Sequence, residues 1–111
     1  MVLSVKIRFY ETSSGARPAE KYIASLPLVE RAKVLAAIED VRKFGLEDSG
    51  VTFRHISGKL WEIKVSAQRV FYVVISGPEM VLMHAYKKEG QKAPRGEIAT
   101  AQRRMKDVLG E

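Results

Sequence analysis

The 111-residue chain has no cysteine and only two histidines, His55 and His84. The first absence excludes a disulfide framework and any thiolate metal site. The second leaves a zinc site dependent on several carboxylates, and no metal-ligand spacing appears; no metal and no cofactor are expected. Long apolar runs are missing too. No window approaches the roughly 18 consecutive apolar residues of a membrane span, so no membrane partner is expected. The opening residues, MVLSVKIRFYE, carry Lys6, Arg8 and Glu11 and no small-residue cleavage site, and do not read as a signal peptide, so a cytoplasmic location is expected. Repeats, low-complexity tracts and long linkers are absent. What remains is a length that fits one domain, residues 1–111, around one core. The apolar fraction of 46% is that of a globular chain rather than a disordered one.

Acid is also in short supply. Thirteen Asp and Glu stand against nineteen Lys and Arg, for a net charge of +6. Such an excess speaks of partners rather than of fold. Nucleic acid, an anionic membrane surface or an acidic protein would each use it, and so would plain solubility. Its location narrows the choice: Lys87, Lys88, Lys92 and Arg95 face a single acid, Glu89, in the densest basic stretch of the chain.

Hydrophobic periodicity gives the elements. Val5, Ile7 and Phe9 alternate with Lys6 and Arg8 over residues 4–10, a half-buried strand. Pro18 fits the first turn of a short helix reaching Ser25, which should stop at Leu26-Pro27 because a residue before proline avoids the helical region. A second helix is expected from Leu28 to Phe44, with Leu28, Ala32 and Leu35 and Val34, Ile38 and Val41 as a broad apolar stripe and Gly45 as its stop. The short link between the two predicts a helical hairpin. After a polar loop, Leu46–Gly50, come strands at Thr52–Ile56, Lys59–Val65, Arg69–Ile75 and Met80–Tyr86, joined by short turns into an antiparallel meander. The third of these is apolar on both faces and reads as central, with Val5–Phe9 added at an edge. A last helix spans Pro94 to Leu109. Helices and strands in separate runs predict an α+β domain with helices on one face of an antiparallel sheet, mixed at its edge.

The sheet can gather charge at one end. A two-residue turn at Ser66-Ala67 would pair Lys64 with Arg69, and a three-residue turn would put them on opposite faces. Tyr86, Lys87 and Lys88 follow the last strand. Such a cluster suits a phosphate, since Arg offers a planar fork and Lys a point charge. Each residue also has a plain structural role open to it: Arg69 as a solvated edge residue, Tyr86 as an aromatic packing on the last helix, Lys87, Lys88 and Lys92 as an ordinary charged loop. Trp61 reads as core, His55 as a turn histidine, His84 as a satisfied buried histidine, and Glu62 as half of a cross-strand ion pair.

Three blocks in order, GKLWEIKV at Gly58–Val65, RVFYVVIS at Arg69–Ser76 and VLMHAYKKEGQKAPRGEIATAQRRMKD at Val81–Asp107, resemble the RelE/ParE toxin superfamily, and within it the HigB-like, phage-derived subgroup. The resemblance covers about half the chain at motif level and all of it in element order. It implies a RelE-like fold and the toxin of a type II toxin–antitoxin pair. RelE-type and HigB-type members cut messenger RNA in the ribosomal decoding site, so mRNA on the ribosome and a helix-turn-helix antitoxin are the implied partners. ParE-type members instead inhibit DNA gyrase, and a catalytically inactive module that only binds its antitoxin is a further alternative. By the resemblance, Arg69 matches the strand arginine that binds the scissile phosphate, and Tyr86, Lys87 and Lys88 match the tyrosine and basic residues ending the last strand. Lys59 and Lys64 resemble basic residues of the preceding strand, and His55 a loop histidine of some relatives. Lys92 and Arg95 become linker residues with at most RNA contacts. The chain departs from the pattern at the general base. Several members use a Glu–His pair or a tyrosine in the terminal helix, and no tyrosine follows Tyr86. Lys64 and Lys87 are left as bases, with Tyr86 stacking on a nucleobase or assisting proton transfer.

Overall fold

In a computed structural model, residues 5–92 and 94–111 are described; Ser4, at the start of the expected first strand, lies outside them. The elements run β1 (Lys6–Phe9), α1 (Pro18–Ala24), α2 (Leu28–Asp48), β2 (Thr52–Ser57), β3 (Leu60–Val65), β4 (Gln68–Ile75), β5 (Glu79–Lys87) and α3 (Arg95–Leu109). The five strands form one mixed sheet in the order β1-β5-β4-β3-β2. The meander β2 to β5 is antiparallel, and β1 lies parallel to β5 at the edge. β4 is the middle strand, as its two apolar faces require.

Helices cover both faces of this sheet, not one. Val70, Tyr72, Met80, Leu82 and Ile63 pack under α1 and α2, against Ala19, Ile23, Val34 and Val41. Phe71, Val73, Val81, Met83 and Leu60 pack under α3, against Ala101 with Ile98 and Met105. The reason lies in β4 and β5: strands apolar on both sides leave a second face that must be removed from water. Two side-chain ties fix the helices. Tyr10 Oη donates to Asp107 Oδ2 of α3 at 2.6 Å. On the other face Tyr22 Oη donates to Gln68 Oε1 at 2.6 Å, and Gln68 Nε2 donates to Glu30 Oε1 at 2.9 Å, binding α1, β4 and α2 together.

α2 buries only part of its expected stripe. Val34, Ala37 and Val41 face the sheet, while Leu28 and Val29 are about two-thirds exposed and Leu35 nearly half. The series 28, 32, 35 and the series 34, 38, 41 occupy neighbouring faces of the helix, and one sheet can take only the second. At Gly45 the backbone leaves the helical region, with φ 78° and ψ 179°, as a stop should. The chain then resumes a helical turn through Asp48, where a loop is expected.

Two irregularities position the site. The β3–β4 turn has two residues: Val65 pairs with Gln68 and Lys64 with Arg69. Ser66 supports it with a φ of 54°, positive only at the first central position, the pattern of a II′ turn. In β5 the register shifts, Phe71 opposing His84 and Tyr72 opposing Leu82, so that Met83 is an extra residue. This bulge puts Met83 and His84 on the same α3 face and turns Tyr86, rather than Ala85, towards Arg69.

Candidate active site

On the α3 side of the sheet, between β2 to β5 and the start of α3, lies a cleft of about 620 Å³. Its lining includes Arg54, Lys64, Arg69 and Lys88, with Glu62 as the one acid and Tyr86 beside it; Gly90, Gln91, Pro94 and Ile98 close the side towards α3. Four cations against one carboxylate leave the cleft strongly positive.

Glu62 lies at its floor, 2% exposed. Its Oε2 accepts a hydrogen bond from Tyr86 Oη at 3.2 Å. Its Oε1 lies 3.8 Å from Arg69 Nε and 4.0 Å from Arg54 Nη1. Arg69 is anchored separately, Nη1 donating to the carbonyls of Ser66 at 2.6 Å and Gln68 at 3.0 Å. The turn that pairs Lys64 with Arg69 thus also clamps the guanidinium, while its remaining N–H groups are left for a ligand. Lys88 is held from the other side, Nζ donating to the Lys92 carbonyl at 2.8 Å.

Tyr86 is 6% exposed. Its ring stacks on Phe71 with centroids 5.3 Å apart, so its faces are not open to a nucleobase, contrary to the stacking role that the sequence left open. Burial first, and then the Glu62 carboxylate beside it, push its phenol well above the usual tyrosine range. The phenol therefore keeps its proton near neutral pH and donates it in a hydrogen bond to Glu62.

His84 is the paired histidine that its neighbours predict. Arg104 Nη1 stands 3.0 Å from Nδ1. A guanidinium only donates, so Nδ1 accepts and the ring proton sits on Nε2, which donates to Glu97 Oε1 at 3.0 Å. Phe71, His84 and Tyr86 form a cluster of near-parallel rings under α3, with centroids 5.3 to 6.2 Å apart.

The structure brings Lys64, Arg69, Tyr86 and Lys88 together and leaves other expected residues outside. Lys87 pairs with Gln68, which faces α1 and α2, so it points away from the cleft that holds Tyr86. Lys59 sits at the opposite end of β3, at a separate apolar hollow of about 420 Å³ with Phe53, Trp61 and Tyr72. Trp61 is 38% exposed there rather than part of the core. His55 touches the rim of the cleft, but its ring lies 5.0 Å from that of Trp61 and its Nε2 donates to the Gly58 carbonyl at 2.8 Å. Lys92 and Arg95 are exposed and do not line the cleft. Sequence reasoning missed Arg54 and the depth of Glu62. The available signal was Glu62 alone among cations on one strand face.

Among the described residues no group of three or more His, Asp or Glu stands close enough to hold a metal ion, and no helix is long and apolar enough to cross a membrane. Residues 21–106 match the sequence model of the family described as phage derived protein Gp49-like (DUF891). No curated protein matches the chain.

Proposed function

The chain belongs to the Gp49-like family of phage-derived proteins, related to the RelE toxins of toxin–antitoxin systems, and from that premise we propose that it is a type II toxin of RelE-like fold and HigB-like descent that cuts mRNA on the ribosome. The observation that carries the reading is the cleft: Lys64, Arg69 and Lys88 converge at one sheet end beside the protonated phenol of Tyr86. A surface that bound only a protein would have no need to focus charge in this way.

The proposed reaction is in-line attack of an RNA 2′-hydroxyl on the adjacent phosphorus. The P–O2′ bond forms, the P–O5′ bond breaks, and the products are a 2′,3′-cyclic phosphate and a 5′-hydroxyl. The 2′-hydroxyl proton goes to a base, for which Lys64 is the candidate in the cleft lining, and the departing O5′ takes a proton from solvent water to become the 5′-hydroxyl; Lys87 points away from the cleft. Arg69 and Lys88 stabilise the charge that grows on the phosphoryl oxygens. DNA, without the nucleophile, is inert. A cognate helix-turn-helix antitoxin, acting as an acidic or shape-matched cover, would silence the cleft.

The test is primer extension on a translated message with wild type and Arg69→Ala. New stops within codons that vanish in the variant are expected. Intact message together with accumulating cleaved DNA–gyrase complexes would replace this reading with gyrase inhibition. Intact message without such complexes, but with antitoxin bound, would leave an inactive binding module.

A further inference from the structure

We propose that Arg54 is a second RNA-phosphate contact of the cleft, aimed by Glu62, which serves as the positioning residue for Arg54 and Arg69 alike. The inference rests on reading the cleft as an RNA site and extends it to two residues to which neither the resemblance nor the proposed reaction gives a role.

Arg54 lies on the edge strand β2, directly opposite Glu62 in the β2–β3 ladder, and so projects from the same face. Arg69 reaches Glu62 from β4, on the other flank of β3. Two guanidiniums from separate strands thus approach a single buried oxygen, Glu62 Oε1, while the second oxygen is taken by Tyr86. One carboxylate cannot neutralise two guanidiniums, so a positive charge is left over at this point. The two arginines differ in what they can offer. Arg69 is 13% exposed and already donates twice to turn carbonyls. Arg54 is 60% exposed and lies at the outer limit of an ion pair. Its exposure and its place in the cleft lining leave most of its N–H donors open to a ligand, in the fork that matches phosphate oxygens. A simple cross-strand pair would not need a buried acid shared with the inner arginine. A carboxylate held at 2% exposure and bonded to a tyrosine is instead a fixed post between the two guanidiniums.

The experiment measures binding of a fluorescent hexamer of 2′-O-methyl RNA, which cannot be cut, as a function of salt. For a single strand, each phosphate contact contributes about 0.7 to the slope of log affinity against log salt. Arg54→Ala is expected to weaken binding roughly fivefold and reduce the slope by about 0.7. An unchanged slope would overturn the role of Arg54, whether or not the protein cuts any message. The role of Glu62 is read from a double-mutant cycle with Glu62→Gln. If Glu62 aims Arg54, the loss caused by Arg54→Ala shrinks in the Glu62→Gln background. If Glu62 merely neutralises charge, that loss grows, and the positioning role is overturned. Should Glu62→Gln not fold, Arg54→Lys decides. It keeps the charge without the fork, and full affinity in that variant would contradict an aimed guanidinium. Absence of message cleavage by wild type, with these binding results intact, would count against the nuclease reading alone.

Discussion

Arg69→Ala perturbs two things at once, and the structure allows them to be separated. The substitution removes the inner cation of a buried acid. Stripping one partner from a buried ion pair costs roughly 3–5 kcal/mol in general. Here Arg69 Nε stands 3.8 Å from Oε1 rather than in a hydrogen bond, and Glu62 keeps Tyr86 at 3.2 Å and Arg54 at 4.0 Å. The expected cost is accordingly about 2 kcal/mol. For a domain of this size that lowers Tm by roughly 8–10 °C. Glu62→Gln removes the charge that Arg69 compensates while keeping an acceptor for Tyr86. In that background Arg69→Ala should cost about 1 kcal/mol, what remains being the lost hydrogen bonds to the Ser66 and Gln68 carbonyls. Thermal unfolding followed by circular dichroism reads all four proteins of the cycle. A melting temperature for Arg69→Ala within about 2 °C of wild type, or an equal fall in both backgrounds, would refute the buried-acid argument. Cleavage assays run well below the variant's Tm then report on phosphate binding and not on unfolding.

Phe71 is fully buried between the sheet and α3, so Phe71→Ala should cost about 3–5 kcal/mol in a denaturant titration and loosen the Tyr86 stack. Burial holds the Tyr72 phenol up at about 12, and the Tyr22 and Tyr86 phenols are raised by burial as well. The unfolded chain releases these protons near pH 10, earlier than the folded one. Stability is therefore full below pH 10 and is lost as pH rises through about 12. Denaturant midpoints at pH 9 and pH 11 check this, and Tyr72→Phe should flatten the fall. Ser66 holds a positive φ that glycine adopts without cost, so Ser66→Gly should leave the hairpin register unchanged and shift stability upward by less than about 1 kcal/mol.

Much of the fold was legible because periodicity and punctuation agree. Pro18, Leu26-Pro27 and Gly45 mark breaks close to those observed, and the doubly apolar β4 is central. The choice between Lys64–Arg69 pairing and its alternative was not legible, since it turns on one residue of loop length, and the II′ turn at Ser66 decides it. The β5 bulge was invisible for a related reason. Val81, Leu82, Met83, His84, Ala85 and Tyr86 hold no glycine or proline to mark the extra residue, yet it decides that Tyr86 enters the cleft and Lys87 does not. The cover of both sheet faces was foreshadowed by β4, although a one-sided arrangement was expected. The candidate site was partly legible. Arg69, Lys64, Tyr86 and Lys88 converge, while Lys59, placed by likeness to a neighbouring strand, falls at the wrong end of β3. Arg54 went unnoticed because its partner is 8 residues away on another strand, and the depth of Glu62 because its partners Arg69 and Tyr86 come from β4 and β5.

The most direct measurement replaces one nucleotide. Once a cut is mapped on a translated message, the same message is made with a single 2′-deoxynucleotide on the 5′ side of the cut. An account in which the 2′-hydroxyl is the nucleophile predicts that cutting stops at that position and continues elsewhere, with 5′-hydroxyl ends on the unsubstituted message. Undiminished cutting at the deoxy position, or 5′-phosphate ends, would contradict it.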